Sequence, residues 1–151
     1  MSTARSCLAY ALACACLVSA CNGSPTSATS TTTTTTIAST TAATPSTTEQ
    51  FTGVLPVNGA KFYSFTVSQF GTVNVTLTNV SGQFVPSTVT LGLGLGKPDG
   101  EDCTMSTSLT TKSGSTAQVT GSYEAGVYCA RVYDVGNLFG PANFNIQIDY
   151  P

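Results

Sequence analysis

The stretch Tyr63-Ser64-Phe65-Thr66-Val67 places aromatic and β-branched residues at every second position, with polar residues between them. The same alternation returns after the residues 69–71, in the stretch Val73-Asn74-Val75-Thr76-Leu77. Side chains point to opposite faces along a strand, so a period of two predicts strands that are buried on one face. The short turn between the two stretches predicts that they pair as a hairpin.

The alternation continues through the rest of residues 51–151. Leucines occupy every second position of residues 91–95, and Phe144, Ile146, Ile148 and Tyr150 alternate with polar residues. Residues 127–135 are apolar on both faces apart from Arg131 and Asp134, which predicts a central strand. No window shows a helical period. The sequence therefore predicts an all-β fold, a single β-sandwich of about seven or eight antiparallel strands in two packed sheets.

The stretch Leu91-Gly92-Leu93-Gly94-Leu95-Gly96 has leucine on one face and no side chain on the other. Glycine inside a strand often marks the close approach of a ring, another backbone segment or a ligand. Two interpretations follow, namely internal packing under a loop or aromatic ring, and a shelf for a ligand.

The N-terminal residues have the features of an export signal. Arg5 precedes an apolar run over residues 7–18, which is shorter than the roughly 20 residues of a spanning helix. The run ends in Leu17-Val18-Ser19-Ala20-Cys21, which resembles the lipobox of bacterial lipoproteins. The resemblance implies that residues 1–20 are a removed signal peptide and that Cys21 carries diacylglycerol and a fatty acid such as palmitate. An ordinary secretory signal cut at the same small residues is the alternative.

Residues 21–50 are expected to be the lipidated cysteine and a disordered tether. Beyond Cys21 the segment consists almost entirely of Thr, Ser, Ala and Pro, with an unbroken threonine run from Thr31 to Thr36. Such a segment has too little apolar surface to offset the entropy of ordering it. An O-glycosylated stalk is the alternative in a eukaryotic protein. In a bacterium we expect an exported protein that is lipid-anchored to a membrane, the outer one where the cell has two.

The charge balance restricts which partners the protein can bind, and the cysteine content predicts a disulfide. The chain has five cations and seven acidic residues, and loss of Arg5 with the signal peptide leaves a net charge of −3. This balance argues against a nucleic-acid partner and leaves acylated Cys21 as the contact with the lipid bilayer. Downstream of Cys21 only Cys103 and Cys129 remain, and an even pair in an exported domain predicts a disulfide. A metal or redox pair is the alternative.

Three segments of the chain look like the bacterial pre-peptidase C-terminal domain. They are the stretches Lys61-Phe62-Tyr63-Ser64-Phe65-Thr66-Val67, Gly71-Thr72-Val73-Asn74-Val75-Thr76-Leu77 and Gly126-Val127-Tyr128-Cys129-Ala130-Arg131-Val132. The resemblance implies a small jelly-roll-like β-sandwich that serves as an auxiliary or binding module. The resemblance implies no catalytic residue in this chain. Members of that family often have an acidic residue just before the Tyr-x-Phe strand, where this chain has Gly59, Ala60 and Lys61.

The residue inventory argues against catalysis. The chain contains no histidine, which removes Ser-His-Asp and Cys-His machinery and the usual zinc ligand sets. A glycosidase requires two opposed carboxylates, whereas Asp99, Glu101 and Asp102 crowd one turn. We therefore predict no catalytic residue, no enzymatic activity and no cofactor.

Two sets of residues are candidates for binding. Asp99, Glu101 and Asp102 could offer oxygen ligands to Ca²⁺, but the turn lacks the alternating acidic pattern of a calcium loop, and a solvated turn is the alternative. The side chains of Tyr133, Leu138 and Phe139 fit least well into the alternating core, so they are predicted to form a binding face. Phe84 is a further candidate for exposure.

These observations predict a membrane-anchored, non-catalytic cell-envelope lipoprotein that displays a β-sandwich to a protein or glycan partner. The alternatives are a structural envelope component without a discrete ligand site, and a carbohydrate- or Ca²⁺-binding auxiliary domain.

Overall fold

The computed structural model describes residues 41–151, and the predicted signal peptide, Cys21 and most of the predicted tether lie outside this part. The described part folds as eight strands with no helix, and it therefore holds no helix long and apolar enough to cross a membrane. The all-β prediction is confirmed. The strands are β1 (Thr47–Leu55), β2 (Ala60–Val67), β3 (Gly71–Ser81), β4 (Leu91–Asp99), β5 (Asp102–Thr111), β6 (Val119–Tyr123), β7 (Gly126–Tyr133) and β8 (Ala142–Tyr150).

The strands form two four-stranded antiparallel sheets with the orders β1-β8-β3-β6 and β2-β7-β4-β5. Apart from the β4–β5 hairpin, each strand is followed along the chain by a strand of the other sheet. This order is that of an eight-stranded jelly roll, so the jelly-roll-like sandwich is confirmed.

The predicted hairpin is wrong. Residues 63–67 belong to β2, which pairs with β7, whereas residues 73–77 belong to β3, which pairs with β6 and β8. Residues 68–70 therefore connect one sheet to the other. Both strands still turn their alternating apolar side chains toward a shared core, but they do so from opposite sides of it.

The core lies between the sheets and is built from the alternating apolar faces. Leu91, Leu93 and Leu95 of β4 are fully buried and share one cluster with Ile146 and Ile148 of β8. The prediction that residues 127–135 hold a central strand is confirmed, since β7 lies between β2 and β4.

The domain begins earlier than residue 51, where the sequence placed its start. Ala43 already forms a parallel bridge with Gly71 at the start of β3, and strand β1 begins at Thr47, which pairs with Tyr150 at the end of β8. The phenol of Tyr150 donates a hydrogen bond to the Glu49 carboxylate, and this bond, together with burial, raises the pKa of Tyr150 to about 12. The exposed face of β1 is polar, so the threonine-rich composition of the tether continues into this strand. The start of β1 therefore could not be recognised from composition.

The chain enters the sandwich at one end, and loops that connect the strands lie at the other. Strand β1 runs from Thr47 to Leu55, and nine residues at about 3.4 Å each span roughly 30 Å. The connections 56–59, 82–90 and 134–141 follow the far ends of β1, β3 and β7. We call these three connections the distal end.

Candidate functional site

The distal end exposes apolar side chains from all three of its connections. Phe139 is 89% exposed, Phe84 is 61% exposed and Val57 is 42% exposed. Single exposed apolar residues are common, but aromatic residues grouped at the tips of adjacent loops are typical of binding surfaces. These side chains are therefore the first candidates for contact with a partner.

Asp134 organises the loop that carries Phe139. Its carboxylate accepts hydrogen bonds from the backbone N–H groups of Asn58 (2.8 Å), Gly136 (2.9 Å), Asn137 (2.9 Å) and Leu138 (3.3 Å). Partial burial raises the pKa of the Asp134 carboxyl, but the four N–H donors lower it by more, so the net pKa lies below its ordinary value. The charged carboxylate thus joins the 134–141 loop to the 56–59 turn.

Further contacts tie the three connections together. The backbone N–H of Asp134 donates to the Gly59 carbonyl at 2.9 Å, and the Asn137 side chain donates to the Thr90 hydroxyl at 2.7 Å. The Phe84 ring lies against the backbone of Gly140, where a Cβ atom would be 3.1 Å from the ring. The exposed aromatic residues are consequently held on an ordered surface.

The structure separates the three residues that were predicted to form a binding face. Phe139 projects into solvent as expected. Leu138 is only 5% exposed and belongs to the core cluster, so its assignment to a binding face is wrong. The hydrogen bonds to Asp134 close a turn in which the Leu138 side chain points inward. Tyr133 is half-buried, with its ring over Gly92.

The glycine face of β4 is filled by the protein's own side chains. The Tyr133 ring contacts Gly92, and the Met105 sulfur contacts Gly94, at the positions where side chains would otherwise stand. This arrangement agrees with the packing interpretation of the Leu-Gly alternation and leaves no room for a ligand over Gly92 and Gly94.

The acidic turn between β4 and β5 does not assemble a metal site. Residues 41–151 contain no group of three or more carboxylate, thiol or imidazole side chains that could hold an ion. Asp99 and Glu101 are exposed, while Asp102 pairs with Arg131 at 2.9 Å and accepts the Cys103 N–H. The three carboxylates therefore remain separate in the turn.

The predicted disulfide is confirmed. Cys103 of β5 and Cys129 of β7 are bonded, with Cα atoms 6.0 Å apart, and both residues are buried. The bond joins the two strands that flank β4 in their sheet. It lies at the end opposite the distal end, so it stabilises the scaffold and does not take part in the candidate site.

A shallow groove of about 340 Å³ lies on the outer face of the β1-β8-β3-β6 sheet, next to the distal end. A β-bulge shifts the register of β3 between Leu77 and Asn79, which brings the Asn79 amide beside Asn145 of β8. The Asn145 Oδ1 atom is buried and has no hydrogen-bond partner within residues 41–151. We call this the amide groove, and it is lined by Thr52, Gly53, Val54, Asn79, Asn143, Phe144 and Asn145.

The amide groove was missed in the sequence because Asn79 belongs to a different strand and is far along the chain from Asn143 and Asn145. The signal that could have found it is the polar row at alternate positions of β8, where Asn143 and Asn145 face outward. Uncharged amides and hydroxyls both donate and accept hydrogen bonds, so the groove suits a neutral hydrogen-bonding partner.

Replacing Asp134 should loosen the distal end. We expect Asp134→Asn to lower the free energy of unfolding by about 1–3 kcal/mol at pH 7, because the amide lacks the charge that strengthens these hydrogen bonds and its NH₂ cannot accept the Asn58 N–H. Since the folded-state pKa is lowered, the stabilisation is present above the unfolded-state pKa and is lost as the pH falls through the folded value. Denaturant unfolding of both proteins across pH 2–7 would measure this difference.

The matched control is Glu101→Gln, which removes an exposed carboxylate from the β4–β5 turn. Its effect should stay within about 0.5 kcal/mol at every pH. Equal effects of the two substitutions would show that Asp134 does not organise the loop.

No known family model matches this chain, and no curated protein matches it either. The candidate site must therefore be interpreted from its own geometry.

Proposed function

We propose that this protein is a membrane-anchored, non-catalytic lipoprotein of the cell envelope, and that its β-sandwich binds a protein or glycan partner through the distal end. One observation carries the proposal. Two exposed phenylalanines, Phe84 and Phe139, stand on hydrogen-bonded loops at the end of the domain opposite to the point where the chain enters.

The energetics favour an interaction surface. Aromatic residues dominate the energy of many interfaces, and full burial of one side chain of this size stabilises a complex by about 1.5–3 kcal/mol. Because the hydrogen bonds of Asp134 and Asn137 already order the loops, little further entropy would be lost on binding. The adjacent amide groove would add uncharged hydrogen bonds at the edge of the contact.

The position of the distal end fits display from a membrane. In our proposal, acylated Cys21 is the anchor and the segment that follows it is the tether. The tether would join the domain at Ala43, whose backbone pairs with Gly71 at the start of β3, so the phenylalanines would face away from the anchored end. The likeness of three segments to the pre-peptidase C-terminal domain supports an auxiliary role of this kind.

A binding assay with the envelope tests the proposal. The full chain carrying Cys21→Ser, which cannot be acylated at that position, is mixed with an envelope fraction from cells that lack the gene, and the sedimented fraction is measured. We expect Phe139→Ser to weaken binding about tenfold, which corresponds to about 1.4 kcal/mol. Adding Phe84→Ser to this variant should weaken binding further. The melting temperature should change by only a few degrees, as for other exposed positions.

The matched control is Val127→Ser. Val127 is 51% exposed at the start of β7, at the end opposite the distal end. It should bind like the parent chain. Equal binding by all variants would instead favour a structural envelope component without a discrete site, and a large fall in the melting temperature of Phe139→Ser would show that Phe139 packs in the core.

A further inference from the structure

A second concave site lies at the end of the sandwich remote from the distal end. Strands β5 and β6 are edge strands of the two different sheets, and a cleft of about 400 Å³ opens beside them. This volume is within the range of small-molecule sites. We call it the tyrosine cleft, and it is lined by Lys97, Thr104, Met105, Ser106, Tyr123 and Tyr128.

Two aromatic rings give the cleft a fixed apolar surface. Tyr123 and Tyr128 pack edge to face with ring centroids 5.2 Å apart. The Tyr128 phenol donates to the Glu124 carbonyl at 3.1 Å, and the residue is only 8% exposed. Burial, and secondarily Tyr128, raises the pKa of the Tyr123 phenol, in keeping with a surface that is poorly hydrated.

Lys97 supplies the one positive charge of this lining. It follows Leu91, Leu93 and Leu95 in the core-facing row of β4, so its side chain continues that row where the core ends. Its ammonium lies 6.0 Å from the centroid of the Tyr128 ring. Within residues 41–151 the only ion pair is Arg131–Asp102, and Lys97 therefore has no carboxylate partner there.

An unpaired ammonium beside apolar walls is complementary to a ligand that has both an anionic group and an apolar part. Lys97 is exposed, so an anion from solvent can reach its ammonium. The aromatic surfaces favour a ring or a short hydrocarbon body. We propose that the tyrosine cleft binds a small amphiphilic anion, with the anionic group on Lys97 and the apolar body against Tyr123 and Tyr128.

Two fluorescent arylamines test this proposal because they differ only in one sulfonate group, which carries the negative charge. One is 1-anilinonaphthalene-8-sulfonate, and the other is N-phenyl-1-naphthylamine, which lacks the sulfonate. Each is titrated into the full chain carrying Cys21→Ser, so that no acyl chain competes for the probe. We expect saturable binding of the sulfonate, weakened about tenfold by Lys97→Gln, with the affinity of the neutral probe unchanged.

Two further variants locate the site. Lys112→Gln removes an equal charge from the exposed segment after β5, at the other end of the sandwich, and should leave both affinities unchanged. Thr104→Phe should fill the cleft and weaken both probes at least tenfold, with folding verified by thermal melting. The proposal is overturned if Lys97→Gln and Lys112→Gln act alike, if Lys97→Gln weakens both probes equally, or if Thr104→Phe leaves both affinities intact.

Discussion

Removal of the Cys103–Cys129 disulfide should lower the stability of the domain by roughly 3–4 kcal/mol. The bond closes a loop with a sequence separation of 26 residues, and the chain-entropy treatment gives this magnitude for such a loop. For a domain of this size the melting temperature should fall by roughly 10–20 °C. Thermal unfolding of the Cys103→Ala/Cys129→Ala double variant measures the effect.

Both cysteines are buried, so the native protein should also resist thiol alkylation until it is reduced and unfolded. The matched control is Cys14→Ala/Cys16→Ala, which removes two cysteines from the predicted signal peptide and should not change the melting temperature of the processed protein. A double variant at Cys103 and Cys129 that melts with the parent protein would show that the bond adds no net stability.

Replacing Cys21 by alanine should move the protein from the membrane to the soluble fraction or leave it uncleaved. If Cys21 carries two or more acyl chains, as the lipobox resemblance implies, each buried methylene contributes about 0.8 kcal/mol and anchoring is stable without a spanning helix. Intact-mass measurement of the membrane-extracted parent protein should find the added acyl mass. Fractionation of the two proteins measures the shift.

Cys16→Ala is the control for this experiment, because Cys16 lies in the same apolar run but does not follow the small residues Ser19 and Ala20. It should remain in the membrane fraction. The anchor proposal fails if Cys21→Ala is retained at the membrane like the parent chain, or if the parent protein has no acyl mass.

The local character of most strands could be predicted from the sequence. Alternating residues in β2, β3 and β8 indicate one buried face whatever the strands pair with, because the period of two is a property of the extended backbone. Strands β1 and β5 were missed. Both are edge strands, and β5 buries so little apolar surface that its threonines and serines resemble a linker.

Strand pairing could not be predicted from the same pattern. An apolar face requires only a core to cover it, and β2 and β3 satisfy this requirement from opposite sheets. The turn at residues 68–70 permits either a hairpin or a crossing between sheets. The choice depends on β7 and β8, which pair with β2 and β3 from more than 50 residues further along the chain.

The candidate site, like the fold, could be predicted only in part from the sequence. The exposure of Phe139 was predicted because the residue has no place in an alternating core, but neighbouring Leu138 was assigned wrongly. Its direction depends on the four N–H groups that Asp134 gathers from two connections. Such a contact has no sequence pattern, because Asn58 and Asp134 meet only when the sandwich closes.

By itself the sequence determined the all-β class, the apolar faces and the pairing of its last two cysteines, because these follow from local periodicity and from composition. Tertiary structure alone decided the jelly-roll order, the grouping of Phe84 with Phe139, and the two concave sites. The amide groove and the tyrosine cleft each combine residues from at least three strands. Their geometry arises from the registry and packing of distant segments, which depend on the free energy of the whole domain.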